Sequence, residues 1–138
     1  MTHQLASSPA VGDLVVNKTF PPISRTTLGL YAGASGDHNP IHIDIDFAKQ
    51  AGFPDVFSHG MLVMGLLGQA VTDAVAPDRL RSFSTRFVAI TQLGAKITCE
   101  GAVAELIETN GEKRARLALT AKDEIGDIKL AGEAIIAL

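Results

Sequence analysis

The chain has a single cysteine, Cys99, so no intrachain disulfide is possible, and a reducing compartment suits it. Cys99 sits in a strand-like stretch and is expected to act as a buried small hydrophobe. Clustered positive charge is also missing. No Lys/Arg run is longer than the pair Lys113 and Arg114, the formal net charge is -3, and the pI is near 5.7. Nucleic acid is therefore not an expected partner. Long hydrophobic runs are absent too: the strongest, GMLVMGLLGQAV from Gly60 to Val71, has nine residues before Gln69, whereas a membrane span needs roughly 20. The first residues, MTHQLASSPAVGD, lack a basic segment followed by a long apolar one and are not expected to be a signal peptide. A flexible tail over residues 1–10 is expected, on a cytoplasmic protein with no membrane partner.

What is present is enough for a core. With 138 residues, 46% of them hydrophobic and 20% charged, the chain is expected to form one domain over residues 1–138, and no repeat or linker divides it. The first half reads as helices and loops, the second as strands. DLVVNKTF (Asp13 to Phe20) is a strand closed by Pro21 and Pro22. Ser24 offers an N-cap to a helix through Leu28, Tyr31 and Ala32 that ends near Gly36. Asp46 is expected to cap a short helix, FAKQA, stopped by Gly52 and Pro54. A third helix starts near His59 or Gly60, runs to about Val75, and is apolar on every side of its first two turns, which calls for enclosure.

From Arg81 onward the pattern alternates. Ala115, Leu117, Leu119 and Ala121 share one face, while Arg114, Arg116 and Lys122 share the other, and Asn110-Gly111 marks a hairpin. An antiparallel sheet with one dry face and a wholly apolar helix combine most simply when the sheet curls around the helix, an α+β arrangement. The edges of so small a sheet need protection, so pairing with a second subunit is expected.

The chemically richest stretch is SGDHNPIHID, Ser35 to Asp44. His38 and His42 have metal-ligand spacing for a helix, but Pro40 between them argues against a helix, and further ligands are hard to find nearby, so no metal is expected. A serine nucleophile does not fit either, because Asp37 occupies the second glycine position of a G-x-S-x-G elbow. Two readings remain. Asp37 and Asn39 can simply stabilise a turn. Alternatively, a rigid loop with Gly36 before it and Asn39-Pro40 in it aims Asp37 and His42 at one place, where a carboxylate and an imidazole can hold a water and move its protons without a cofactor.

YAGASGDHNPIHIDIDFA, Tyr31 to Ala48, resembles the signature of the MaoC-like hydratases and dehydratases, the (R)-specific enoyl-CoA hydratase 2 group; the shared features are G-D-x-N-P-[LIV]-H with Ala48 after it, and then FSHGML from Phe57 to Leu62. The resemblance extends more weakly over about Val11 to Leu138. It implies a hot-dog fold, a curved antiparallel sheet wrapped around a long central helix. It also implies an enzyme that adds water reversibly across a trans-2-enoyl thioester to give the (R)-3-hydroxyacyl thioester. Asp37 and His42 are then the catalytic pair, and the backbone N–H of Gly60 is the donor to the thioester oxygen. His42 is expected to take the proton of water and Asp37 to serve the proton at C2, with the reverse assignment open. Asn39 orients the loop or touches the thioester region, and Phe57 and Met61 are expected to contact substrate. Phe53, Val56 and Met64 are further candidates for the wall along the acyl tail. His59 is expected to be structural, hydrogen-bonded at the helix start, and Ser58 to cap the helix.

The chain departs from the family pattern at Ala34, at Ile90 after RFVA, and at Gly94-Ala95, all outside the acid/base pair. The expected substrate is an acyl-CoA or acyl-ACP thioester, and the expected state a homodimer or a heterodimer with a second hot-dog subunit. The alternatives are a (3R)-hydroxyacyl-ACP dehydratase subunit of fatty-acid synthesis, a thioesterase, and a non-catalytic subunit that completes a partner's acyl channel.

Overall fold

A computed structural model of the chain describes residues 8–138. Residues 1–7 of the expected tail lie outside the described residues. Of the remainder, Pro9 is buried and the Ala10 N–H donates to Asp13 Oδ2 at 2.8 Å.

Strand β1 (Leu14–Thr19) leads through the two prolines to helix α1 (Arg25–Ser35). Ser24 caps α1 as expected, its hydroxyl accepting the Thr27 N–H at 3.1 Å. Gly36 ends it in the left-handed conformation, φ 78°, where glycine carries no Cβ penalty. A single 3-10 turn (Pro40–His42) follows, then α2 (Ile45–Gln50) and α3 (Gly60–Ala74). Another 3-10 turn (Pro77–Arg79) leads to β2 (Leu80–Phe87), β3 (Thr98–Thr109), β4 (Glu112–Lys122) and β5 (Ile128–Ala137).

The five strands form one sheet in the order β1-β3-β4-β5-β2, every pair antiparallel. β3 and β4 join through Asn110 (φ 50°) and Gly111 (φ 80°), the two positive-φ residues that a two-residue hairpin turn requires. In β4 the alternation resolves as read: Ala115, Leu117, Leu119 and Ala121 are at most 1% exposed. The opposite face carries cross-strand ion pairs, Arg116 with Glu105 and Glu133 and Lys122 with Glu100, each worth about 0.2–1 kcal/mol at a solvated surface.

Helix α3 packs against all five strands. Its buried residues Val63, Leu67, Ala70 and Val71 form one stripe that joins Val103, Leu117, Leu119, Leu130 and Ile136 of the sheet in a single core. Burying each such Leu or Ile contributes about 2 kcal/mol. Cys99 lies in this core, and burial pushes its thiol up to about 12, so it stays protonated and unreactive.

Three expectations change. In one chain α3 is enclosed on one side only, with Gly60, Met61 and Gly65 exposed, because the sheet curls over a single side and leaves the other apolar side open. The cap of α2 is Asp44, not Asp46: Asp44 Oδ1 accepts the N–H groups of Asp46 and Phe47. Ser58 does not cap α3, since its hydroxyl donates to the His59 carbonyl and His59 occupies the N-cap position.

Candidate active site

The loop between α1 and α2 is built by alternate polar side chains. The Ser35 hydroxyl accepts the Asp37 N–H at 3.1 Å, Asp37 Oδ1 accepts the Asn39 N–H at 3.2 Å, and Asn39 Oδ1 accepts the Ile41 N–H at 3.1 Å. Each residue thus ties down the backbone two positions ahead, the Asx and Ser/Thr turn geometry that these residue types favour. As expected, no helix spans His38 to His42; Pro40 opens a short turn instead. It stands at the first position of the 3-10 turn, where its missing N–H costs nothing, while Asn39 before it stays extended at ψ 121°. That turn, rather than an extended segment, carries His42 back toward Asp37.

Asp37 and His42 are brought together. Asp37 commits Oδ1 to the loop, and its Oδ2 lies 3.9 Å from His42 Nε2. This is too long for a direct hydrogen bond and short enough for one water to touch both. The His42 side chain is 11% exposed and that of Asp37 52%. His42 Nδ1 lies 2.8 Å from the Phe57 carbonyl oxygen. A carbonyl only accepts, so Nδ1 carries the proton, and the neutral ring presents the Nε2 lone pair to Asp37.

Phe57 also sets its ring edge against His42, centroids 5.4 Å apart, and Phe53 packs on Phe57 at 4.9 Å. Gly60 opens α3, where the first N–H groups of a helix have no intrahelical acceptor. A Cβ at Gly60 would stand 2.9 Å from the ring of Phe87, so a larger residue there would push the β2 aromatic away from the helix start. Asn39 is exposed and spends its side-chain oxygen on the turn, leaving the amide nitrogen free. Met61 follows Gly60 on the open side of α3, 54% exposed.

His59 is the residue whose surroundings the sequence did not disclose. It is 1% exposed, stacks on His42 with centroids 3.9 Å apart, and places Nε2 3.2 Å from the Asp37 carbonyl oxygen. Burial lowers its proton affinity, the Asp37 carbonyl opposes this, and the neighbouring His42 lowers it again; the net direction is down, which favours a neutral His59 ring. The only sequence signal was a histidine inside an otherwise apolar approach to the helix. Asp37, His42 and His59 each bring a potential metal-ligating atom to within 4.8 Å of the others. The His59 Nε2 is taken by the carbonyl, so the two side chains that face the cleft are Asp37 and His42.

An apolar recess of about 160 Å³ runs beside the first turns of α3, lined by Phe20, Pro21, Pro22, Ile23, Leu62 and Leu66 among others. These are not the wall residues expected from sequence; Val56 is buried in the core instead. A hollow of about 450 Å³ over Ser84, Ala118, Ala131 and Glu133 on the sheet includes none of the site residues. The Arg81 guanidinium is held by Glu112.

Residues 8–124 match the MaoC like domain family. The chain is 33% identical over 117 residues to 3-hydroxybutyryl-CoA dehydratase of Methylorubrum extorquens, covering 83% of this chain and 72% of that protein. It is 41% identical over 73 residues to fatty acid synthase subunit beta of Aspergillus oryzae, half of this chain and 4% of that much longer protein. Among solved structures, the unliganded R-hydratase PhaJ1 from Pseudomonas aeruginosa superposes with a TM-score of 0.81 at 30% identity, covering 93% of this chain and 81% of that one. The fold is the hot-dog fold of these neighbours, and the chain belongs to the MaoC-like domain family.

Proposed function

We propose that the chain is a hydro-lyase that adds water reversibly to a trans-2-enoyl-CoA, giving the (R)-3-hydroxyacyl-CoA. The observation that carries this is the Nε2 lone pair of His42 facing Asp37 Oδ2 across 3.9 Å. The names of the relatives, a dehydratase of a 3-hydroxyacyl-CoA and an R-hydratase, agree with it.

Conjugation makes C3 of an enoyl thioester electrophilic, and attack by water builds negative charge on the thioester oxygen. The Gly60 N–H at the start of α3 meets that charge, helped by the helix dipole. Asp37 and His42 hold the water between them and share one proton. His42 takes the proton that water loses as its oxygen bonds to C3, Asp37 delivers one to C2, and the proton then returns from His42 to Asp37. Exchanging the two roles leaves the same balance. Phe57 fixes His42 through its carbonyl and lines the approach, Asn39 holds the loop, and the acyl tail runs past Met61 toward the apolar recess at Leu62 and Leu66. No cofactor is needed for these steps.

The test is the product: incubation with crotonyl-CoA is expected to yield 3-hydroxybutyryl-CoA of R configuration on chiral analysis, and an S or racemic product would contradict the assignment. Running crotonyl-ACP beside it addresses the second reading, a (3R)-hydroxyacyl-ACP dehydratase, which the fatty acid synthase relative favours.

The working form is a dimer. β1 and β2 are open edges, and Met61, Phe87, Val88 and Ile90, flanking the helix start or following β2, are all more than 40% exposed. A second copy laid over them dries the site and covers the open side of α3. Sedimentation is expected to give twice the chain mass, with Phe87→Glu shifting it toward the monomer; a monomeric wild type would contradict this.

A further inference from the structure

We propose that His59 is a positioning residue for the Asp37–His42 pair, anchoring the Asp37 backbone through its Nε2–H and bracing the His42 ring with its face. The inference rests on the hydratase reading for its catalytic consequence, though not for its geometry.

One side chain at the start of α3 touches both members of the pair. The Asp37 carbonyl oxygen, 3.2 Å from His59 Nε2, can only accept, so Nε2 bears the proton. The lone pair then lies on Nδ1, which is buried without a partner among the described residues. Leaving a buried acceptor unpaired is unfavourable, and an apolar ring would avoid it while filling the same space. What an apolar ring would not supply is the donor to Asp37. The ring is held in turn: the Tyr31 edge packs on it at 4.8 Å and an angle of 65°, and the His42 ring lies 3.9 Å away, tilted by 30°. His42 is thereby fixed on three sides, by His59, by the Phe57 ring, and by the Phe57 carbonyl.

The titratable groups against His59 are Asp37 from the loop, His42 from the 3-10 turn and Tyr31 from α1. His59 is not a proton carrier: its proton is committed to a carbonyl, and the ring is 1% exposed. Its neutrality has a consequence for the reaction. When His42 takes the proton of water it becomes an imidazolium stacked on a neutral aromatic face, which accommodates a cation; a second cation there would oppose it.

The experiment compares His59→Phe and His59→Gln with wild type. Phenylalanine keeps the ring and removes the donor; glutamine keeps a donor at the reach of Nε2 and removes the ring. His59→Phe is expected to lower kcat about 10- to 100-fold with KM changing less than about 3-fold, since a loop misplaced by a fraction of an ångström loses alignment rather than binding. Glutamine should recover part of that loss. A His59→Phe protein with the wild-type melting temperature and kcat within about 2-fold of wild type would overturn the proposal.

Histidine ¹⁵N NMR of the wild type reads the geometry without substrate. It should show His59 as the Nε2–H tautomer, with a proton affinity below that of a free imidazole. An Nδ1–H tautomer, or a His59 that protonates more readily than a free imidazole, would overturn the proposal. If the wild type turns over no enoyl thioester, the reaction assignment fails and the tautomer alone decides the positioning role.

Discussion

Asp37→Asn and His42→Ala are each expected to lower enoyl-thioester hydration at least about 100-fold, the scale of a positioned acid or base. The double variant should be scarcely worse than the poorer single one, because two groups that hold the same water act as a unit. Asparagine in place of Asp37 keeps an oxygen that can accept the Asn39 N–H, so the loop survives while the proton-transferring carboxylate is lost. The loss should therefore appear in kcat with the melting temperature nearly unchanged. His42→Ala also frees the Phe57 carbonyl and removes the ring on which His59 stacks, so some stability is lost along with activity. Steady-state kinetics on both variants, with thermal melts alongside, check this. Near-wild-type kcat in either would remove that residue from the chemistry.

Gly132→Ala is expected to destabilise the fold by about 3 kcal/mol or more. Gly132 in β5 pairs with Thr85 in β2. A Cβ there would stand 2.0 Å from the Ser84 carbonyl oxygen and 2.7 Å from Thr85 Cα. The obstructing atoms are backbone, so no rotamer relieves the clash and the edge strand must move. Moving β2 also moves Phe83, which packs on the core, and Phe87, which closes over Gly60. The melting temperature should fall by about 10 °C for a chain of this size. Gly29→Ala is the matched control: a Cβ there meets nothing within 4 Å in the middle of α1, so the same change should stabilise by about 0.5–1 kcal/mol. A Gly132→Ala melt within about 2 °C of wild type would contradict the packing described for β2.

What the sequence disclosed and what it withheld divide along the range of the interactions. The Ser24 cap, the Gly36 stop, the Asn110-Gly111 hairpin and the alternation in β4 are set by neighbours along the chain, and each is legible from residue type and spacing. The cap of α2 is Asp44 where the reading from sequence has Asp46; the two carry the same side chain two residues apart, so residue type alone does not tell them apart. Pro40 correctly argues against a helix through both histidines, but residue type alone does not show that it starts a 3-10 turn. The enclosure of α3 was overestimated because an apolar surface states what must be covered and not which chain covers it.

The site followed the same division. Asp37 and His42 share one loop, whose turn residues allow their meeting without requiring it; the resemblance of the whole motif points to that reading. The Phe57 carbonyl that orients His42, the His59 ring behind it and the Phe87 ring over Gly60 come from other elements. Their contacts exist only once α3 and β2 have packed, so no spacing within the motif carried them.

The most direct measurement is the absorbance of the conjugated enoyl thioester when the purified chain is mixed with crotonyl-CoA. The account predicts that the signal falls to the hydration equilibrium with wild type and stays nearly constant with Asp37→Asn under the same conditions. A folded wild type that leaves the absorbance unchanged on short and long enoyl-CoAs would contradict it.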